Sequence, residues 1–158
     1  MLQNYLTGLQ FEKCDDWDKN LSGLYVIRGS NGFYYYISNY NTWKTKKQYF
    51  FDILIRYQKE IKKEWELHHI VEKQHLQSFY SAADLNYLYA YQWPCILIHK
   101  GEHIAYNSIL HSKEPKILFD LKNRIPKEQL LNNIKTMYRE AYSGNIILST
   151  IAQNVLRQ

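Results

Sequence analysis

Apolar residues along this chain change their period repeatedly, and each change predicts an element. From Leu24 to Ile37 two β-prone runs flank Gly29-Ser30-Asn31-Gly32. Asn-Gly supplies the positive φ angles of a tight turn, so this segment predicts a β-hairpin. From Trp43 to Glu64 the period turns helical, with Phe50, Leu54, Tyr57 and Ile61 on one side. Lys47, Asp52, Arg56, Lys59 and Lys63 fall mostly elsewhere, which makes an amphipathic helix with a basic outer face. Residues 65–72 return to a short strand that carries His68-His69 near its end. Ser81-Ala82-Ala83-Asp84 has the spacing of a capping box and opens a short helix through about Tyr89.

Pro94 precedes a second apolar strand, Cys95-Ile96-Leu97-Ile98, and Gly101-Glu102 leads into a helix bearing His103, Asn107 and His111. Pro126 can start a helix running to about Tyr142, Gly144 breaks it, and Asn145 to Leu156 forms another. No internal repeat or low-complexity linker divides the chain. The expectation is one α+β domain over residues 1–158. It comprises the hairpin and amphipathic helix (1–64), a strand–connection–strand–helix core (65–111) and C-terminal helices (112–158).

Composition narrows the class. A chain of 158 residues suits one hydrophobic core, and 46% hydrophobic with 22% charged residues is ordinary for a soluble globular protein. The first residues lack the basic start and apolar stretch of a signal peptide, and no window approaches the roughly 18 apolar residues of a membrane helix. A soluble domain without membrane partners is expected, one that leaves the cell only as part of a larger product. The net charge of +5 and a pI near 9.0 favour a polyanionic partner, nucleic acid before membrane. The aromatic cluster from Tyr34 to Trp43 reads as core and hairpin packing rather than a base-stacking platform. Cys14 and Cys95 stand far apart and outside any Cys-x-x-Cys pair, which excludes a thiolate-rich zinc module. Both are expected reduced and packed.

The chemistry gathers around His68-His69. Adjacent side chains on a strand point to opposite faces, so one imidazole can grip a metal while the other faces a water to be deprotonated. His103 and Asn107, four apart on a helix, share a face. If the two strands pair, His68, His103 and Asn107 converge, with open positions for water and phosphate. Imidazole and amide oxygen suit Mg²⁺, Mn²⁺, Ni²⁺ or Zn²⁺ without selecting among them. The simpler reading is one buried, hydrogen-bonded histidine beside one surface histidine. His99-x-x-x-His103 is also a ligand spacing, although His99 falls in the turn before the helix. His75 and His111 are expected on the surface. Glu72 can orient a histidine, bind the metal or simply be solvated. Lys73, Lys100, Lys116, Lys122 and Arg124 are near enough in sequence to hold a phosphate backbone.

The run Leu67-His68-His69-Ile70-Val71-Glu72-Lys73-Gln74 and the run Ile96 to His103 resemble the HNH, or ββα-metal, endonuclease superfamily. The likeness is to toxin nuclease domains of bacterial polymorphic toxins, and the helical ending from Leu130 to Tyr142 is similar to theirs. The resemblance implies a ββα-metal motif within a mainly helical domain. It makes His68 and His103 metal ligands, Asn107 a third ligand, and His69 the general base, with one divalent metal ion as cofactor. Lys73 and Lys100 would contact phosphate. The implied activity is hydrolysis of DNA with low sequence specificity. Its alternatives are an RNA-cleaving toxin of the same fold and a catalytically degenerate nucleic-acid-binding module. It further implies an acidic immunity protein as partner, and synthesis in a bacterial cytoplasm before delivery within a secreted toxin. One departure stands out: the family's middle Asn would fall near Trp93 or Pro94, leaving Gln92 and Asn86 as candidate replacements.

Overall fold

Strand alternation sorts the side chains onto two cores, one on each face of a single sheet. The computed structural model describes residues 2–30, 32–58 and 64–157; Asn31, Lys59, Ile61 and Lys63 of the predicted elements lie outside them. The expected hairpin forms from β2 (Tyr25–Arg28) and β3 (Tyr34–Asn39), with Val26 opposite Tyr36. Gly32, at φ +84°, supplies a positive-φ position in its turn. The hairpin is not separate from the histidine region. β3 also pairs with β5 (Pro94–His99), and β5 pairs with β4 (Trp65–His69). With the short β1 (Glu12–Lys13), they make a five-stranded antiparallel sheet in the order β1-β2-β3-β5-β4. The domain is thus α+β, with most residues in helices and β4 on a sheet edge.

Helix α1 (Tyr40–Tyr57) covers one face. It starts before Trp43 because the Asn39 side chain accepts the Thr42 N–H at 2.8 Å, filling one of the orphan donors of the first turn. Trp43, Phe50 and Leu54 pack against Val26, Tyr36, Cys95 and Leu97. The Trp43 indole N–H donates to the Cys95 carbonyl at 2.8 Å, fastening the helix to β5. Cys14 and Cys95 are both free and buried, and burial raises each thiol to about 12, far from a reactive thiolate.

The alternate residues Ile27, Tyr35, Ile37, Ile96 and Ile98 join the other core, with helices α3 (Lys100–Lys122), α4 (Lys127–Ala141) and α5 (Ile146–Leu156). α3 crosses the expected boundary at residue 111 and continues through Pro115. Leu110 and Ile117 are buried on either side of that proline and hold the helix to the core across it. α2 (Ala82–Tyr87) is capped by Ser81 and passes into one π-helical turn, Leu88–Gln92. Among the described residues, no helix is long and apolar enough to cross a membrane.

Two tyrosines from the far end of the chain fix the segment after β4. The Tyr142 hydroxyl donates to the Ile70 carbonyl at 2.6 Å and lies 2.6 Å from His68 Nε2. The Tyr138 hydroxyl accepts the Glu72 N–H at 2.7 Å and lies 2.8 Å from His75 Nδ1. This corrects the expectation for His75, which is fully buried at 0% exposure because Tyr138 holds its ring inside the core. The mutation Tyr142→Phe removes one oxygen and leaves a buried carbonyl and a buried ring N–H without partners. We predict a loss of at least about 2 kcal/mol, measured by urea denaturation with an unchanged m value; a loss within error would contradict this anchoring.

Candidate metal and phosphodiester site

The histidine pair sits where β4 ends, and the pleat sends its rings to different sides. His68 lies opposite Ile96 and turns toward α3 and α4; His69 lies opposite Cys95 and turns toward α1. Both still border one recess of about 350 Å³, lined by Leu67, His68, His69, Glu72, Lys73, Gln74, Tyr89, His103 and Asn107. The structure therefore brings together five of the six expected site residues. Lys100 is the exception: it opens α3 beside Glu64, at the opposite end of β4 from the pair. A larger recess of about 670 Å³ lies elsewhere, between Arg28, Tyr35 and Asn145, and includes none of the histidines.

Hydrogen bonding decides which nitrogen of each ring keeps a lone pair. Because the Tyr142 hydroxyl gives its proton to Ile70, its oxygen accepts from His68 Nε2–H. His68 Nδ1 is then the lone-pair nitrogen. His103 Nδ1 lies 2.8 Å from Glu66 Oε2, which fixes the ring; in the neutral ring Nδ1 then donates and the lone pair is on Nε2. Glu66 shares a face of β4 with His68, two residues away, and this spacing is the sequence signal by which it could have been found. The hydrogen bond from His103 holds the Glu66 carboxyl below its ordinary range.

The ring centroids of His68 and His103 are 5.1 Å apart. Two imidazoles on one tetrahedral ion, with metal–nitrogen distances of about 2.0–2.1 Å, have centroids separated by about 5 Å. The pair thus fits a shared divalent cation, with half-buried Asn107 one helical turn beyond His103 on the same recess. His99 takes a different part. Its Nδ1 accepts the Gly101 N–H at 3.0 Å and caps α3, outside the recess.

His69 is packed face to face with Tyr89 at 3.8 Å and 10°, and Tyr40 lies 4.9 Å away. Its Nε2 is enclosed without a hydrogen-bond partner. Burial lowers His68 to about 3, with the charges of His103 and His69 adding to the effect; burial lowers His69 to about 4. Both rings are neutral near pH 7, the state that a ligand or a base requires. Lys73 Nζ stands 3.2 Å from Asn86 Oδ1 and 5.3 Å from the Tyr89 ring centre, which holds its charge at the recess. Asn86 therefore positions a lysine. The segment after β4 is braced by Tyr138 and Tyr142.

The chain matches no family model, no curated protein and no solved structure.

Two outcomes follow from this geometry. In chelator, stability is full above about pH 6.5 and declines toward pH 3–4, because His68 and His69 take up protons only after unfolding. The variant His68→Gln should flatten that slope in pH-dependent denaturation; an unchanged slope would rule out a buried neutral His68. If His68 and His103 share a divalent ion, the variant Glu66→Ala should weaken its binding by about 10–100-fold, read by competition with a chromophoric chelator. Unaltered affinity would remove Glu66 from the site.

Proposed function

We propose that this chain is a metal-dependent endonuclease of the HNH, ββα-metal type that hydrolyses DNA with little sequence preference. The carrying observation is the convergence of His68, His69, His103, Asn107 and Lys73 on one recess, with His68 and His103 each fixed by a second group. The antiparallel pair β4–β5 running directly into α3 has the strand–strand–helix order that such a motif needs. The basic charge of +5 favours the polyanionic substrate.

The chain's own residues divide the work as follows. His68, His103 and Asn107 would hold the divalent ion, and Tyr142 and Glu66 keep the two imidazoles in the tautomers that do so. Bound there, the ion supplies Lewis-acid polarisation of a phosphate oxygen and stabilises charge on the leaving oxygen. Lys73 draws the phosphodiester into the recess and reads no base. His69 takes the proton of the attacking water on Nε2. Because Nε2 is enclosed, substrate entry has to loosen the Tyr89 stack before a water reaches it.

As a toxin domain, the chain would be made with an acidic immunity protein and delivered within a secreted product, and its expression alone would be lethal. Charge complementarity supports such a partner. The test is nicking of supercoiled plasmid with added Mg²⁺, Mn²⁺, Ni²⁺ or Zn²⁺. The parent should cut, chelator should stop it, and His69→Ala should lower the rate about 10²–10⁴-fold. Full cleavage by His69→Ala would sink the base assignment. Cleavage of RNA alone would move the substrate, and DNA binding without cleavage of either would leave a binding module.

A further inference from the structure

The segment after β4 meets α3 at a second cluster that the nuclease reading leaves unused. We propose that Glu72, His75 and Glu114 bind a divalent transition cation of the Mn²⁺ or Zn²⁺ class. This ion is separate from the one assigned to His68 and His103, and it clamps residues 72–75 to α3.

One atom of each side chain, suited to metal binding, lies within 4.8 Å of the others. Two carboxylates near one another would not make a site. The independent observation is His75, whose ring is 0% exposed and whose Nε2 has no hydrogen-bond partner. That nitrogen points into the cluster, 3.4 Å from Glu114 Oε1 and 4.0 Å from Glu72 Oε2. An enclosed, unsatisfied ring nitrogen facing two carboxylates calls for a ligand. A cation bonded to Nε2 and to both carboxylates satisfies all three groups at once.

The surroundings suit that role. Metal binding needs the proton on Nδ1, and the Tyr138 hydroxyl, 2.8 Å away, can accept it. If the free ring carries its proton on Nε2, binding transfers it to Nδ1 and the Tyr138 hydroxyl turns, so no proton is gained or lost. The Gln74 amide nitrogen bridges the same two carboxylates, at 2.6 Å from Glu72 Oε2 and by a second bond to Glu114 Oε1. A half-turn of that amide presents Oε1 as a further oxygen donor. One imidazole with carboxylate oxygens favours Mn²⁺ or Zn²⁺ over Ca²⁺, which prefers an all-oxygen shell.

Glu114 follows His103 by eleven residues on α3. At about 1.5 Å per residue their backbones are about 16 Å apart. A two-metal catalytic centre needs ions about 3.5–4 Å apart. The second ion therefore orders the strand end and Lys73 rather than joining the chemistry, and it does not rest on the nuclease reading.

Equilibrium dialysis of the full chain against Zn²⁺ and, separately, Mn²⁺ tests the clamp, with Glu114→Gln and His103→Ala alongside the parent. The Glu114 side chain is only 16% exposed, so circular dichroism checks the fold; Glu72→Gln serves if Glu114→Gln does not fold. The expected result is two ions in the parent and one in each variant, with the clamp ion weakened about tenfold or more by Glu114→Gln. One ion in the parent that Glu114→Gln removes upholds the clamp and counts against the nuclease ion. Equal binding by parent and Glu114→Gln, or none by the parent, overturns the clamp.

Discussion

The hydroxyls of Tyr138 and Tyr142 are the constraint on which the site depends. They reach from the end of α4 to four groups between residues 68 and 75: a ring nitrogen, a carbonyl, a backbone N–H and a second ring nitrogen. A hydroxyl that has given its proton to a carbonyl can only accept from an imidazole, so Tyr142 sets the tautomer of His68 as well as its position. Sealed in a low-dielectric core, such bonds are costly to break. The burial that makes them strong also lowers His68 to about 3 and moves His75 downward, favouring the neutral rings. Anchoring and chemical readiness thus have one physical source.

The edge position of β4 completes the arrangement. An interior strand would have neighbours on both sides; among the described residues β4 pairs only with β5, and its end borders a recess. The pleat then assigns His68 to the helical core and His69 to the side of α1, while the ends of both rings still meet the same space. Glu66 uses the same pleat, one step back, to hold His103 across from His68. A short edge strand with alternating faces is enough to send two adjacent imidazoles into different surroundings.

Much of this was legible in local pattern. The hairpin, the Ser81 cap, the helix after Pro126 and the break at Gly144 are set by residues close in sequence, and they form within a few positions of their expected bounds. The opposite facing of His68 and His69 and the shared face of His103 and Asn107 follow from strand and helix periods alone. What escaped depends on distance. Tyr142 meets His68 across 74 positions and Tyr138 meets His75 across 63, and no period links them. For that reason His75, taken as a surface residue, proved to be the most enclosed histidine. Lys100, expected at phosphate, lies outside the recess for a geometric reason: antiparallel pairing puts the start of α3 beside the start of β4, away from its histidine end. The single sheet joining hairpin and histidine strands was likewise hidden, since β3 and β5 pair across 54 residues of intervening chain (40–93), about ten times a common loop.

Burial holds His68 neutral, and Tyr142 fixes its proton on Nε2 and so leaves the lone pair on Nδ1. Nitrogen-15 spectroscopy of the histidine rings in the metal-free chain measures this directly. His68 should remain the neutral Nε2–H tautomer from pH 8 to pH 5, well above the value of about 3 to which burial lowers it, and Nδ1 should shift when Zn²⁺ is added. A His68 that titrates near its ordinary 6.5, or that carries its proton on Nδ1, would contradict the account.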